Sequence, residues 1–292
     1  MLKFKTDKLI FNSDDSLEKF ETKLALAISK KEADVLLEDL RIQLSKLQDK
    51  MYAHNKYGVL LCFQGMDAAG KDSLIREVFK DFNARGVVVH SFKAPNTREI
   101  QHDFLWRHAM ALPEKGKFAV FNRSHYENVL VTRVNPEFLL NERLPNVSNS
   151  KDADKTFWDK RFESIRDFEK HCSENGIIII KFYLHLSKEE QRQRLLRRID
   201  KGNHNWKFEP SDVRDRALWD NYIASYNDAF KETSKSYAPW YVVPSDSKQM
   251  SRILVAQIIL EQLSRYSDIQ YPKLAPEILD KLQEYRKQLE NE

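Results

Sequence analysis

The sequence predicts an α/β fold, a five-stranded parallel sheet with helices on both faces. Three observations predict it. Five short apolar, β-branched runs occur at 59–64, 87–90, 117–121, 177–184 and 240–243. Longer helix-like segments separate them. The runs are continuously apolar rather than alternating, as strands covered on both faces are.

The strands come in order as "VLLCFQ", "VVVH", "KFAVF" and "IIIIKFYL", each preceded by a glycine (Gly58, Gly86, Gly116, Gly176), then "WYVV" after Pro239. Helices are expected over about 71–84, 98–111, 154–174, 187–200, 211–235 and 247–265. Ahead of the first strand, 16–53 reads as a helical preface. Its Leu36, Leu40, Leu44 and Leu47 form one stripe, for packing on the core or, as a second reading, for an oligomer contact. The tail, 276–292, is another amphipathic helix. No repeat or Gly/Ser linker divides the chain. The expected organisation is a helical N-terminal extension (1–57), a core (58–265) and a C-terminal helical extension (266–292).

With 292 residues, 41% of them hydrophobic, the chain can bury a substantial core. A formal charge of +4 does not mark a nucleic-acid binder, and none is expected as partner. The start carries no apolar signal region and no run approaches 18 apolar residues, so a cytoplasmic protein without a membrane segment is expected. Cys62 and Cys172 read as buried thiols.

The first strand runs directly into Gly65-Met66-Asp67-Ala68-Ala69-Gly70-Lys71-Asp72-Ser73, and a helix follows. Strand, glycine loop, Gly-Lys and helix in that order make a phosphate loop. The backbone around Gly65, Ala68, Ala69 and Gly70, with Lys71, Asp72 and Ser73 at the helix start, is assigned to phosphate. Such loops place Ser or Thr after the lysine. Here Asp72 stands there, at a helix start that suits its charge. Asp67 lies inside the loop, where it would repel phosphate unless a cation intervened. Mg²⁺, or Mn²⁺ in its place, accepts one or two carboxylates beside water and phosphate oxygens, so Asp67 is read as a metal-site residue. The third strand ends in Asn122, a neutral oxygen where a metal-directed carboxylate is common. Arg123 follows, placed to stabilise charge on a transferring phosphoryl group.

The chain resembles polyphosphate kinase family 2, phosphate-loop kinases that move phosphoryl groups between inorganic polyphosphate and nucleotides. The motifs that carry the resemblance are "GMDAAGKDS", "SFKAPN", "HDFLWR", "FNRSHYENVLVTRV", "QRLLRRIDKGNHNWKF" and "DRALWDNYIASYNDAF…APWYVVPSD", in order over about 60–250. The resemblance implies a three-layer, thymidylate-kinase-like P-loop kinase fold, Mg²⁺, and a helical lid, about 187–212, over a polyphosphate channel. Asn122 followed five residues later by Glu127 is similar to the subclass that accepts both nucleoside monophosphates and diphosphates. It implies that AMP is carried through ADP to ATP; Asp67, Asn122 and Glu127 are assigned to the metal. A homo-oligomer, dimer or tetramer, is expected.

On the lid, Leu195, Leu196 and Ile199 are expected to pack while Arg194, Arg197, Arg198 and Lys201 line the opposite face. Arg192 falls with the leucines, where it needs an anionic partner, and polyphosphate would provide one. Lys207 extends the set at the lid tip, 201–208. Lys93 and Arg98, at the carboxyl edge of the sheet, with Asn122 and Arg133, are assigned to the acceptor nucleotide. Asp103 and Arg107 form a candidate i,i+4 pair. Three alternatives stay open: an ATP-dependent nucleoside monophosphate kinase, a polyphosphate kinase acting on diphosphates only, and a non-catalytic phosphate sensor.

Overall fold

The five runs form β1 (Gly58–Gln64), β2 (Val87–Ser91), β3 (Phe118–Asn122), β4 (Ile177–His185) and β5 (Trp240–Pro244). They make one parallel sheet in the order β2-β3-β1-β4-β5. The computed structural model describes residues 4–24, 28–203 and 205–292. The expected preface and lid tip therefore each include residues outside the described ones.

β1, β3, β4 and β5 are covered on both faces, as continuous apolar runs require. β2 departs from that expectation. It is the edge strand, and Val88 and Val89 are 47% and 49% exposed. The opposite edge is closed by the N-terminal segment. Ile10 bridges Tyr241 in antiparallel sense, and the Phe11 amide donates to the Trp240 carbonyl at 2.9 Å.

The helices are α1 (Lys30–His54), α2 (Lys71–Val78), α3 (Thr97–Ile100), α4 (Trp106–Ala109), α5 (Glu127–Val134), α6 (Pro136–Leu140) and α7 (Lys155–Glu174). They continue as α8 (Lys188–Asp200), α9 (Pro210–Ala217), α10 (Trp219–Thr233), α11 (Lys248–Leu263), α12 (Pro276–Leu279) and α13 (Leu282–Glu290). Two expected long helices are broken. The 98–111 segment splits where Asp103 accepts from the Leu105 amide, and 211–235 splits at Leu218. α5 and α6, unforeseen, form the wall beyond β3.

α1 starts at Ser29, whose hydroxyl and the Glu32 carboxylate close a capping box. Its leucine stripe packs inward: Leu40 and Leu44 are buried, with Leu36 and Leu47 against the same cluster as Ile253 and Leu254 of α11. The packing reading of that stripe is the one the structure shows. No helix among the described residues is long and apolar enough to cross a membrane. Both cysteines are buried and free.

Leu44 is 1% exposed between α1 and the core. Leu44→Ala should lower the unfolding free energy by about 2–5 kcal/mol, since a cavity remains in a packed layer. Urea unfolding checks it. A loss under about 0.5 kcal/mol would mark α1 as peripheral.

Candidate active site

The loop after β1 turns at two glycines that need their freedom. Gly65 has φ +155°, and a Cβ there would meet Ala69 Cβ and the Leu184 carbonyl oxygen, each at 3.1 Å. Gly70, at φ +101°, is the N-cap of α2. Ala68 also sits in the left-handed region, at φ 61°. Lys71 is buried under the loop, its ammonium donating to the Gly65 carbonyl at 2.7 Å. Burial, and then the Arg123 charge, pushes the Lys71 ammonium down to about 8. Ser73 Oγ donates to the Gly70 carbonyl at 3.0 Å, which fixes the start of α2.

Pairing of β1 with β3 sets the 122–127 segment beside this loop. Asn122 Nδ2 donates to Asp72 Oδ1 at 2.6 Å, so Asp72 reaches the end of β3 as well as starting a helix. Arg123 lies between two carboxylates. Its Nη2 donates to Asp67 Oδ1 at 2.8 Å and its Nη1 to Glu127 Oε2 at 3.0 Å. Glu127, more than any other group, raises the Arg123 pKa against the burial that opposes it. Gln64 Nε2 donates to Glu127 Oε1 at 3.0 Å. Asp67 and Glu127 thus present hard carboxylate oxygens joined through one guanidinium. Two carboxylates, completed by water and phosphate oxygens, suit Mg²⁺. Among the described residues no set of three or more His, Cys, Asp or Glu side chains stands ready to hold a metal by itself.

A cavity of about 720 Å³ opens on one side of this group, lined by Asp67, Lys93, Arg107, Arg123, Glu127 and Tyr222 among others. That volume suits a nucleotide-sized ligand. Lys93 lies on it, as its place at the sheet edge led us to expect. Arg98 does not line it and instead stacks over Trp106 at 5.7 Å. Arg133 turns away to pair with Asp228 at 3.0 Å and to cover Trp158 at 5.3 Å. Arg107, assigned to a pair with Asp103, bonds Glu99 at 3.3 Å and the Lys93 carbonyl at 2.8 Å. Arg107, and Arg214 and Asp215 from α9, are cavity residues that the sequence reading missed. The unbroken helices drawn through those stretches hid the bends that turn them inward.

The helix expected to form a lid, α8, departs from expectation in part: Leu195 packs and Arg197 and Lys201 are exposed as expected, but Arg194, Leu196 and Ile199 change places. Arg194 is 5% exposed and packs inward beside Leu195, whereas Leu196 and Ile199 are 43% and 48% exposed. Arg194 donates to the carbonyls of Ala68 (3.2 Å), Ala69 (2.9 Å), Ser245 (2.7 Å) and Asp246 (3.2 Å), and to Glu190 at 2.8 Å. It braces the phosphate loop from behind, with its donors occupied by the protein. Gln191 Nε2 does the same at the Asp67 carbonyl, 3.1 Å. Arg192 is outside, its anionic partner being Glu189 one turn back at 2.7 Å. Arg198 bonds Asp212 at 3.0 Å and the Lys207 carbonyl at 3.1 Å. Lys201 and Lys207 are exposed, and the Lys207 ammonium lies over Trp206 at 4.9 Å.

The Arg197 side chain makes no hydrogen bond or ion pair among the described residues, and it belongs to a second cationic group. Burial and the charges of Arg194, Arg197 and Arg252 lower the pKa of Lys248. Arg252 Nε is buried with no hydrogen-bond partner among the described residues. Lys248 and Arg252 escaped the sequence reading because they open a helix, α11, that looks entirely like core.

The family model described as Polyphosphate kinase 2 (PPK2) matches residues 27–271. An ADP-polyphosphate phosphotransferase of Rhodopseudomonas palustris is 48% identical over 85% of this chain and 84% of its own. An AMP/ADP-polyphosphate phosphotransferase of Meiothermus ruber is 43% identical over 80% and 82%. A crystal structure titled polyphosphate kinase 2, from Arthrobacter aurescens TC1, superposes with a TM-score of 0.84 at 34% identity, covering 93% of each chain.

Arg194 and Arg197 should separate cleanly on substitution. Arg194→Ala leaves two carbonyls of the phosphate loop, two that follow β5, and Glu190 without their donor, and should cost about 3 kcal/mol. Arg197→Ala should leave the thermal midpoint within ~1 °C, as exposed sites do. Equal midpoints for the two variants would refute the bracing role.

Proposed function

The chain belongs to the polyphosphate kinase 2 family, and on that premise we propose that it transfers phosphoryl groups from inorganic polyphosphate to nucleoside mono- and diphosphates. The observation that carries the reading is the Asp67–Arg123–Glu127 group beside the Lys71 loop, with a nucleotide-sized cavity on one side. The cations Arg197, Lys248 and Arg252, grouped with Arg194, which braces the loop, fit a long polyanion. In the step itself the terminal phosphorus gains a bond to a phosphate oxygen of the nucleotide. Its bond to the bridging oxygen of the chain breaks, and the shortened polyphosphate leaves as the anion.

Phosphoryl transfer asks a protein for position and charge rather than covalent chemistry. Lys71 and the loop amides would hold the donor end, and Arg123 would meet charge on the moving group. Lys93 and Arg107 would orient the acceptor. Asp67, Glu127 and Asn122 would hold Mg²⁺, which when bound supplies charge neutralisation between the phosphates. The relatives' names divide on the acceptor: one is an ADP enzyme, the other an AMP/ADP enzyme. Asn122 with Glu127 is the feature that favours both acceptors here. Nucleotide substrates fit a cytoplasmic setting. A second copy of the chain would find uncovered apolar positions on β2 and on α13.

The deciding experiment is ATP formation from AMP, long-chain polyphosphate and Mg²⁺, with omission of each in turn. Formation that needs no polyphosphate would sink the reading. Asp67→Asn removes one of two carboxylates, so its Mg²⁺ midpoint should rise about 10- to 100-fold. An unchanged titration would make Asp67 structural. Glu127→Gln should reduce AMP phosphorylation more than ADP phosphorylation, because a monophosphate acceptor reaches less far toward the loop. Parallel kinetics with both acceptors check it, and an equal loss would discard the two-acceptor argument.

A further inference from the structure

Behind the wall that carries Arg123 and Glu127 lies a charged cluster with no access to solvent. Glu169 of α7, Lys181 of β4, His125 and Tyr126 are all fully buried, at 0% exposure. The Lys181 ammonium donates to Glu169 Oε2 at 2.6 Å, to the Tyr126 hydroxyl at 2.8 Å and to the Thr233 carbonyl at 2.9 Å. The Tyr126 hydroxyl donates to Glu169 Oε1 at 2.8 Å, and His125 Nε2 contacts the same oxygen at 3.1 Å. Burial acts to raise the Glu169 pKa, but Lys181 and His125 hold it below the usual value.

Two ions taken fully out of water cost several kcal/mol each, and apolar residues of the same volume would serve stability as well or better. What the cluster does supply is direction. It pins residues 125 and 126 to three separate elements, α7, β4 and the end of α10. Glu127 follows the pinned stretch directly and Arg123 precedes it by two residues, and both turn into the cleft. Arg123 also holds φ at 63°, a left-handed backbone that a long side chain adopts only when its surroundings impose it.

We propose that the buried Glu169–Lys181 pair, acting through His125 and Tyr126, is the positioning device that holds Arg123 and Glu127 in register with Asp67. These are positioning residues, since none touches the cleft. The proposal rests on the function given above.

Tyr126→Phe tests it with least damage, because the ring stays and only the bridging hydroxyl goes. In the polyphosphate assay its kcat should fall about 10- to 100-fold, as a misplacement of ~1 Å does, with the KM for ADP within about 3-fold. The loss should largely vanish in an Arg123→Lys background, where there is no longer a well-placed guanidinium to misplace. Glu169→Gln should show the same pattern more strongly where it folds. Full kcat in Tyr126→Phe, or a loss that simply adds to that of Arg123→Lys, would overturn the proposal. A wild-type protein inactive with polyphosphate would instead overturn the function it rests on.

Discussion

The parallel pairing of β1 with β3 is the constraint on which the site depends. Their register runs to Phe63 opposite Asn122, and the Arg123 amide then donates to the Phe63 carbonyl at 3.1 Å. That last bond carries the pairing one residue past the strand and fixes where β3 stops. From there the glycine loop and the 122–127 segment leave the sheet side by side. Every interaction in the cleft, from Asn122 to Asp72 and from Arg123 to Asp67, follows from that adjacency. It is also the crevice at the carboxyl ends of a parallel sheet, where α/β proteins hold ligands.

The second consequence is rigidity delivered from outside the loop. A loop with three left-handed or glycine-only positions, Gly65, Ala68 and Gly70, has little local preference for one shape. Its carbonyls at Asp67, Ala68 and Ala69 need donors from outside the loop. Arg194 and Gln191 supply them, so the first turns of α8 belong mechanically to the loop. The outer turns of α8 are a different surface, exposed and cationic, with Arg198 tied to the next helix through Asp212.

Much of this was legible before any coordinates. The continuous runs around Leu61 and Ile180 announced buried parallel strands, and Gly65 to Lys71 between strand and helix announced the loop. The same logic failed at Val88 and Val89, because an apolar run does not say whether a strand lies at the edge. The lid face failed for a sharper reason. On a helical wheel hydrophobic residues are placed inward, yet an arginine can be the buried member when backbone carbonyls wait for its five donors. Arg194 is such a case, and Leu196 and Ile199 are left outside as a result. Arg192 misled in the complementary way, since its anion was Glu189 one turn back. Nor could spacing reveal Glu169 and Lys181, which meet only because α7 packs on β4.

The carboxylates in the phosphate loop can now be accounted for by charge. The end of β3 is a neutral Asn122, and negative charge enters instead through Asp67 in the loop and Glu127 at the start of α5. Two bare carboxylates facing phosphates would oppose binding. Arg123 lies between them and offsets one charge, and Lys71 beneath the loop offsets the other. Asp72, held at the end of β3 by Asn122, adds a third carboxylate, so Asp67, Asp72 and Glu127 against Arg123 and Lys71 leave one net negative charge before any cation arrives. A divalent cation would turn that balance positive where phosphates meet, and the site without one would have little net attraction for them. On this arithmetic the acidic loop would make anion binding conditional on a divalent cation.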